Sequence, residues 1–205
     1  MKELYIYGAS GHGLVVADIA RACGYDDIIF VDDGENKYPS FEEIKRANEI
    51  PIAFGVGSNA IRAKLFEKVL TSGFEIVSLI HPTAIISPSV TIGKGTVVMP
   101  NVVVNAKAVI GDGVILNTSC VVEHECVIEN FVHISPKVVL AGDVKVGELT
   151  HIGIGSNVIQ GIIIGKNVIV GGGSMVIRNI DDNQKVVGVP ARLLPSTSNK
   201  GGEGK

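Results

Sequence analysis

Residues 114–131 read Val114-Ile115-Leu116-Asn117-Thr118-Ser119, Cys120-Val121-Val122-Glu123-His124-Glu125, Cys126-Val127-Ile128-Glu129-Asn130-Phe131. Three hexads lie end to end, each opening on a small or β-branched residue and carrying Leu, Val or Ile third. The same frame extends without insertion from Ala84 to Asn179, sixteen hexads whose first and third places never hold a charge. An amphipathic helix repeats near 3.6 residues and a half-buried strand near 2, so neither yields a clean six. Short strands that turn after six residues do, because stacking lines their repeated apolar positions into one internal column. Burying each Val, Leu or Ile contributes roughly 1.5–3 kcal/mol, enough for the column to hold the stretch together. The reading is a parallel β-helix.

Residues 1–80 lack this period and alternate between strand and helix patterns. Leu4–Tyr7 reads as a strand, followed by the turn Gly8-Ala9-Ser10-Gly11-His12-Gly13 and a helix over Leu14–Cys23 closed by Gly24. Ile28–Val31 is a second strand ending at Asp32-Asp33, Phe41–Ala47 a short helix and Pro51–Phe54 a third strand. Ser58 caps a helix expected to bury Ile61, Leu65 and Val69, closed near Gly73. Glu75–Ile80 is a last strand. This alternation predicts a small parallel α/β domain over 1–80. His81-Pro82 is the joint, and 81–195 holds the β-helix with a closing segment over Val186–Arg192. The Gly-, Ser- and Lys-rich tail 196–205 reads as disordered.

Composition narrows the function classes. No apolar run approaches the roughly 18 residues of a membrane span, although 46% of the chain is hydrophobic. A net charge of −3 with no basic cluster argues against a nucleic-acid partner. Met1-Lys2-Glu3 leads straight into a strand pattern without a signal-peptide signature, so a cytoplasmic location is expected. Three cysteines make a poor disulfide framework. Cys120 and Cys126 fall at inward places, as small buried hydrophobes in a reducing compartment.

Two regions carry chemistry. A glycine turn between a strand and a helix N-terminus presents free N–H groups to a phosphate. Asp32, nineteen residues past Gly13 at the tip of the next strand, is placed to meet a nucleotide's sugar or base. The spacing is G-x-x-G-x-G rather than G-x-G-x-x-G, and a merely tight turn explains the glycines as well. In the β-helix, Glu123-His124-Glu125 sits at an outward corner, where a histidine between carboxylates suits a general base; the alternative is a solvated polar turn. If three hexads make one coil, His133 and His151, eighteen residues apart at second places, stack on the same face about 4.8 Å apart. They form a polar ladder, a cofactor groove, or two ligands of a metal needing a third from a neighbour. The run Gly171-Gly172-Gly173 exceeds what a corner needs and suggests close approach by a ligand or chain.

The unbroken hexads resemble the left-handed β-helix acyltransferases. Tyr5–Gly13, Phe30-Val31-Asp32-Asp33, Leu116–Ser119 and Glu123–Ile128 resemble more narrowly the bacterial sugar acetyltransferases with an added N-terminal nucleotide-binding domain. Most similar are the UDP-4-amino-sugar N-acetyltransferases of the bacillosamine pathway, over Lys2 to about Arg192. That resemblance implies a homotrimer using acetyl-CoA bound between subunits, with no metal. It implies acetylation of the 4-amino group of a nucleotide-linked sugar such as UDP-2-acetamido-4-amino-2,4,6-trideoxyhexose. His124 would be the general base and Glu125 the acid that orients it. Ser10, Gly11, His12, Asp32, Asp33 and Gly55 would hold the nucleotide sugar, and His133, Gly142, Ile154 and Gly172 the acetyl-CoA. Gly34-Glu35-Asn36-Lys37 departs from the family, which leaves the base open among UDP, GDP and dTDP. Rival readings are O-acetylation of sialic acid or another sugar, a trimeric β-helix metal enzyme such as a γ-class carbonic anhydrase, and a non-catalytic binding solenoid.

Overall fold

The computed structural model describes residues 2–194; the tail expected to be disordered, 196–205, lies outside the described residues. The chain forms a small α/β unit seated on a three-sided prism. In the α/β unit, strand β1 (Glu3–Tyr7) runs parallel between β2 (Asp27–Val31) and β3 (Ile52–Phe54). Helices α1 (Gly11–Ala22), α2 (Phe41–Ile44) and α3 (Asn59–Thr71) connect the strands and lead out to the prism. Alternation along β1 divides the packing. Leu4 and Ile6 join a cluster with α1 and the top of the prism, while Tyr5 and Tyr7 pack with Phe41 and Phe74 on the other face.

Every first and third place of the hexads from Thr96 to Val176 is buried, so the column read from the period is the core. Two-residue rungs stack in three parallel sheets, each rung pairing with the one eighteen residues on. Face I carries rungs such as Ile115–Leu116, His133–Ile134 and His151–Ile152. Face II carries Val103–Val104, Val121–Val122 and Val139–Leu140, and face III Val109–Ile110, Val127–Ile128 and Lys145–Val146. The sixth residue of every hexad from Gly95 to Gly173 has φ between +51° and +70° and makes the corner. Nonglycine residues stand at most of these corners, at a conformational cost of about 1–2 kcal/mol each. Burial along the column offsets it.

Three expectations need correction. Leu79–Ile80 does not complete the α/β sheet: it pairs with Val97–Val98 as the first rung of face I, and only Ile76 bridges back to Ile52. Helix α2 stops at Ile44. In α3 the buried residues are Arg62, Phe66 and Val69, whereas Ile61 is 53% exposed. Val69 is buried as expected and Leu65 packs partly buried beside it, but at the start of α3 an arginine takes the core position in place of Ile61. The closing segment holds: Lys185–Val187 extends face I and Arg192–Leu193 folds back antiparallel on it. Among the described residues, no helix is long and apolar enough to cross a membrane.

Candidate active site

The turn expected to bind phosphate is built by glycines that pack on each other. A Cβ on Gly8 would fall 2.7 Å from the Val56 side chain, and one on Gly55 would fall 2.7 Å from Gly13 Cα. Gly8 also has φ +112°. Gly11, by contrast, faces open space. Gly8, Gly13 and Gly55 therefore close the turn, and Gly11 is the glycine left free to meet a ligand. Helix α1 begins beyond Ser10, whose side chain makes no cap, and no acidic residue stands in its first turn. Its first N–H groups and its dipole are available to an anion.

The two aspartates do different work. Asp32 accepts from Ala9 N–H at 3.0 Å, from Gly34 N–H at 2.9 Å and from Asn36 Nδ2 at 3.0 Å. The Ala9 and Gly34 bonds hold its pKa below the usual carboxylate range. Its carboxylate ties the glycine turn to the loop after β2. Asp33, although exposed, is engaged by its own domain, accepting from Tyr7 Oη, from Lys68 Nζ at 2.9 Å and from Phe41 N–H at 2.8 Å. Burial opposes its charge, but these donors outweigh burial and lower its pKa.

The glycine turn sits on face I. His12, in the first turn of α1, lies 6.4 Å ring to ring from His133, and His133 lies 4.8 Å from His151. Their rungs are in the register read from the eighteen-residue spacing, but the two rings meet edge to face rather than stacked. Each ladder histidine is held by a fourth-place side chain of the coil above: Asn117 Nδ2 donates to His133 Nε2 at 3.1 Å, and Ser135 Oγ lies 3.1 Å from His151 Nε2. His133 therefore carries its proton on Nδ1 if neutral. Among the described residues that atom and His12 Nε2 are buried without a hydrogen-bond partner. Burial, then the neighbouring His151 and Arg62, pushes the pKa of His133 down to about 3. Burial and Arg62 lower that of His12 to about 4. Both are neutral at physiological pH. Ile154, 60% exposed, and Gly172, whose Cβ would fall 3.1 Å from the Ile154 side chain, stand on the edge between faces I and II.

His124 stands elsewhere. It follows the face II rung Val121–Val122 and precedes the face III rung Val127–Ile128, so it lies on the edge opposite face I. Its side chain is 59% exposed, and Nδ1 lies 3.1 Å from Glu125 Oε2. Glu125 holds the corner conformation, φ +61°, which turns its carboxylate back to the ring. With Nδ1–H donated to Glu125, Nε2 presents a lone pair to the outside. One coil on, Gly142 makes room for the ring: a Cβ there would fall 2.6 Å from His124 Cε1 and Nε2. The sequence-predicted residues thus form two groups on opposite sides of the prism. His124, Glu125 and Gly142 occupy the II–III edge. Ser10, Gly11, His12, His133, Ile154 and Gly172 occupy face I and the I–II edge. Sequence reasoning missed Asn117 as the partner of His133, although its eighteen-residue frame was sufficient to find it. It also missed Arg62, for which the pattern carried no signal.

Against known proteins, the family profile described as the PglD N-terminal domain matches residues 3–69. The chain is 39% identical over 114 residues to UDP-N-acetylbacillosamine N-acetyltransferase of Bacillus subtilis (strain 168), a match taking in 48% of this chain and 52% of the relative. The match therefore spans about half that relative's length. The acetyltransferase domain of PglB from Neisseria gonorrhoeae FA1090, solved in complex with acetyl coenzyme A, superposes with a TM-score of 0.88 at 40% identity, covering 94% of this chain and 99% of that one. PerB from Caulobacter crescentus, in complex with CoA and GDP-perosamine, superposes with a TM-score of 0.90 at 38% identity, covering 94% and 97%. Identity at this level, sustained across both the α/β unit and the prism, means that the chain belongs to the left-handed β-helix family of bacterial sugar N-acetyltransferases.

Proposed function

We propose that the protein transfers the acetyl group of acetyl-CoA to the 4-amino group of a nucleotide-linked sugar, at a site shared by two copies of the chain. One observation carries this reading. The exposed histidine–glutamate pair and the phosphate-ready turn lie on opposite sides of one prism, so each is half of a site and needs a second copy for the rest. Face II is the face flanked by both edges. Its outward residues Ile85, Val103, Val121, Val139, Asn157 and Met175 are nearly all apolar, and Ile85 is 68% exposed. A ring of three copies closing on face II sets the II–III edge of one against the I–II edge of the next. Burial of face II also removes an apolar surface from water.

In that arrangement Ser10, Gly11 and the start of α1 hold the diphosphate of the nucleotide, with Asp32 toward the sugar or base. Asp33 and Gly55 shape the same pocket. His133, Ile154 and Gly172 line the acetyl-CoA groove. The amine attacks the thioester carbon while His124 Nε2 takes the amine proton, and the coenzyme A thiolate leaves. Glu125 holds the imidazole so that the lone pair faces the amine. The Gly142 N–H, without a hydrogen-bond partner among the described residues, donates to the developing oxyanion. No enzyme nucleophile is required, and Cys120 and Cys126 are buried; burial raises the Cys120 pKa to about 12. The relatives acting on bacillosamine and perosamine nucleotides support an amine acceptor, and the cytoplasm, where such thiols stay reduced, is the compartment we propose. Thiol release measured across UDP-, GDP- and dTDP-4-amino sugars and free sialic acid tests the reading. Turnover of a nucleotide 4-amino sugar is expected, a UDP sugar foremost, and acetylation of sialic acid alone would replace it.

A further inference from the structure

Helix α3 buries an arginine that no carboxylate pairs among the described residues. Arg62 is 1% exposed, and its five N–H groups all go to neutral oxygens. On the prism side Nε donates to Gly113 O at 2.6 Å and Nη2 to Phe131 O at 3.0 Å. On the α/β side Nη1 donates to Val56 O at 3.0 Å and Gly57 O at 3.1 Å, and Nη2 to Asn59 Oδ1 at 2.9 Å. Asn59 in turn donates through Nδ2 to Leu149 O at 2.9 Å and Thr150 O at 3.1 Å. Gly113, Phe131 and Leu149 are the corner residues of three successive coils on the III–I edge, eighteen residues apart. Two side chains of one helix turn thus grip three coils in register.

Val56 and Gly57 follow Gly55, which packs against Gly8 and Gly13 of the phosphate-ready turn. Phe131 precedes His133 by two residues. A hydrogen-bonded carbonyl is a weak partner for a buried cation, and a mere spacer would be apolar. A five-point planar fork instead fixes angle as well as distance.

We propose that Arg62, supported by Asn59, is a positioning residue: it locks the loop behind the glycine turn to the prism edge, and so sets where the nucleotide-linked amine lies relative to His124 of the neighbouring copy. This rests on the proposed function, because the quantity it controls is the placement of that substrate.

Steady-state kinetics of the full-length enzyme, varying each substrate in turn, tests it with Arg62→Met, Arg62→Lys and Asn59→Ala. For Arg62→Met, kcat/KM for the nucleotide sugar is expected to fall about 10²-fold, the effect of a misplacement near 1 Å. Its KM for the sugar should rise at least about tenfold. KM for acetyl-CoA should rise less than KM for the sugar, since Ile154 and Gly172 on the I–II edge are bonded to neither side chain and only His133 of the groove lies near the gripped Phe131. Arg62→Lys keeps the charge without the fork and is expected to behave like Arg62→Met; full recovery by lysine would overturn the geometric role. Loss of kcat in proportion to folded protein, with both KM values unchanged, would reduce Arg62 to a stabilising residue and also overturn it. If the Arg62 variants do not fold, Asn59→Ala decides, with the same split of smaller size expected. Should the wild type turn over no sugar, the function fails and the lock is judged alone by hydrogen exchange. Faster exchange at Gly8, Leu14 and Gly55 in Asn59→Ala supports the lock, and unchanged exchange sinks it.

Discussion

At the scale of single residues, His124 and Gly142 form one device. The ring stands at a corner with Nδ1 engaged by Glu125, and it leans over a position that tolerates no Cβ. Substituting His124→Ala should lower kcat by about 10²–10⁴ and leave the affinity for the nucleotide sugar, measured by calorimetry, unchanged. Gly142→Ala should lower kcat about tenfold or more by displacing the ring without altering the melting temperature greatly, because the corner lies outside the column. Equal activity of Gly142→Ala and wild type would detach that glycine from the base. The histidines of face I make a pH prediction. Burial holds their pKa values far below the usual 6.5 of a histidine, at about 4 for His12 and about 3 for His133. Below pH 6.5 the unfolded chain therefore binds protons that the folded chain refuses. Stability is complete above about pH 7, declines as pH falls through 6.5, and levels off only below the folded-state values. The melting temperature of His133→Asn should decline less steeply over that window than that of the wild type, and parallel profiles would refute the assignment.

At the scale of elements, the hexad works because two unlike demands fall on different places. Its first and third residues fill the column, and its sixth takes the left-handed corner. Leu140, fully buried at a third place, should cost about 2–5 kcal/mol when replaced by alanine. Asn167, exposed with φ +51°, should lose about 1–2 kcal/mol on replacement by valine, whose branched Cβ disfavours that corner. Chemical denaturation measures both, and activity of the folded fraction should persist in each. The column was legible in the sequence because every coil repeats it. The start of helix α3 was misread for the complementary reason. A single helix turn offers only a few apolar positions, so one buried arginine at Arg62 hides the core position, and Ile61 was assigned to the core in its place.

At the scale of the whole molecule, the prediction concerns sharing. If His124 of one copy serves His12 and His133 of the next, His124→Ala and His133→Ala trimers are each inactive. Mixing unfolded chains of both and refolding them together should restore a fraction of wild-type turnover, because some interfaces then pair an intact II–III edge with an intact face I. Failure of mixed trimers to recover activity, with mixing verified by mass spectrometry, would place the whole site in one chain. A Val121→Glu substitution on face II should give monomers by light scattering and abolish turnover in parallel.

By itself the sequence determined the six-residue repeat, the glycine turn at a helix start and the outward corner of His124. It also placed His133 and His151 in one ladder provided that three hexads make a coil, as the strand pairing shows they do. All of these depend on neighbours in the chain or on neighbours at a fixed interval, and such order survives in a string of letters. Only the tertiary structure decided that Leu79–Ile80 belongs to the prism, that Asp33 is occupied by Tyr7 and Lys68, and that Arg62 spans the junction. It also decided that the turn covers face I while His124 stands on the opposite edge. Those relations join an irregular domain to a periodic one, and no interval in the chain encodes how two such bodies dock.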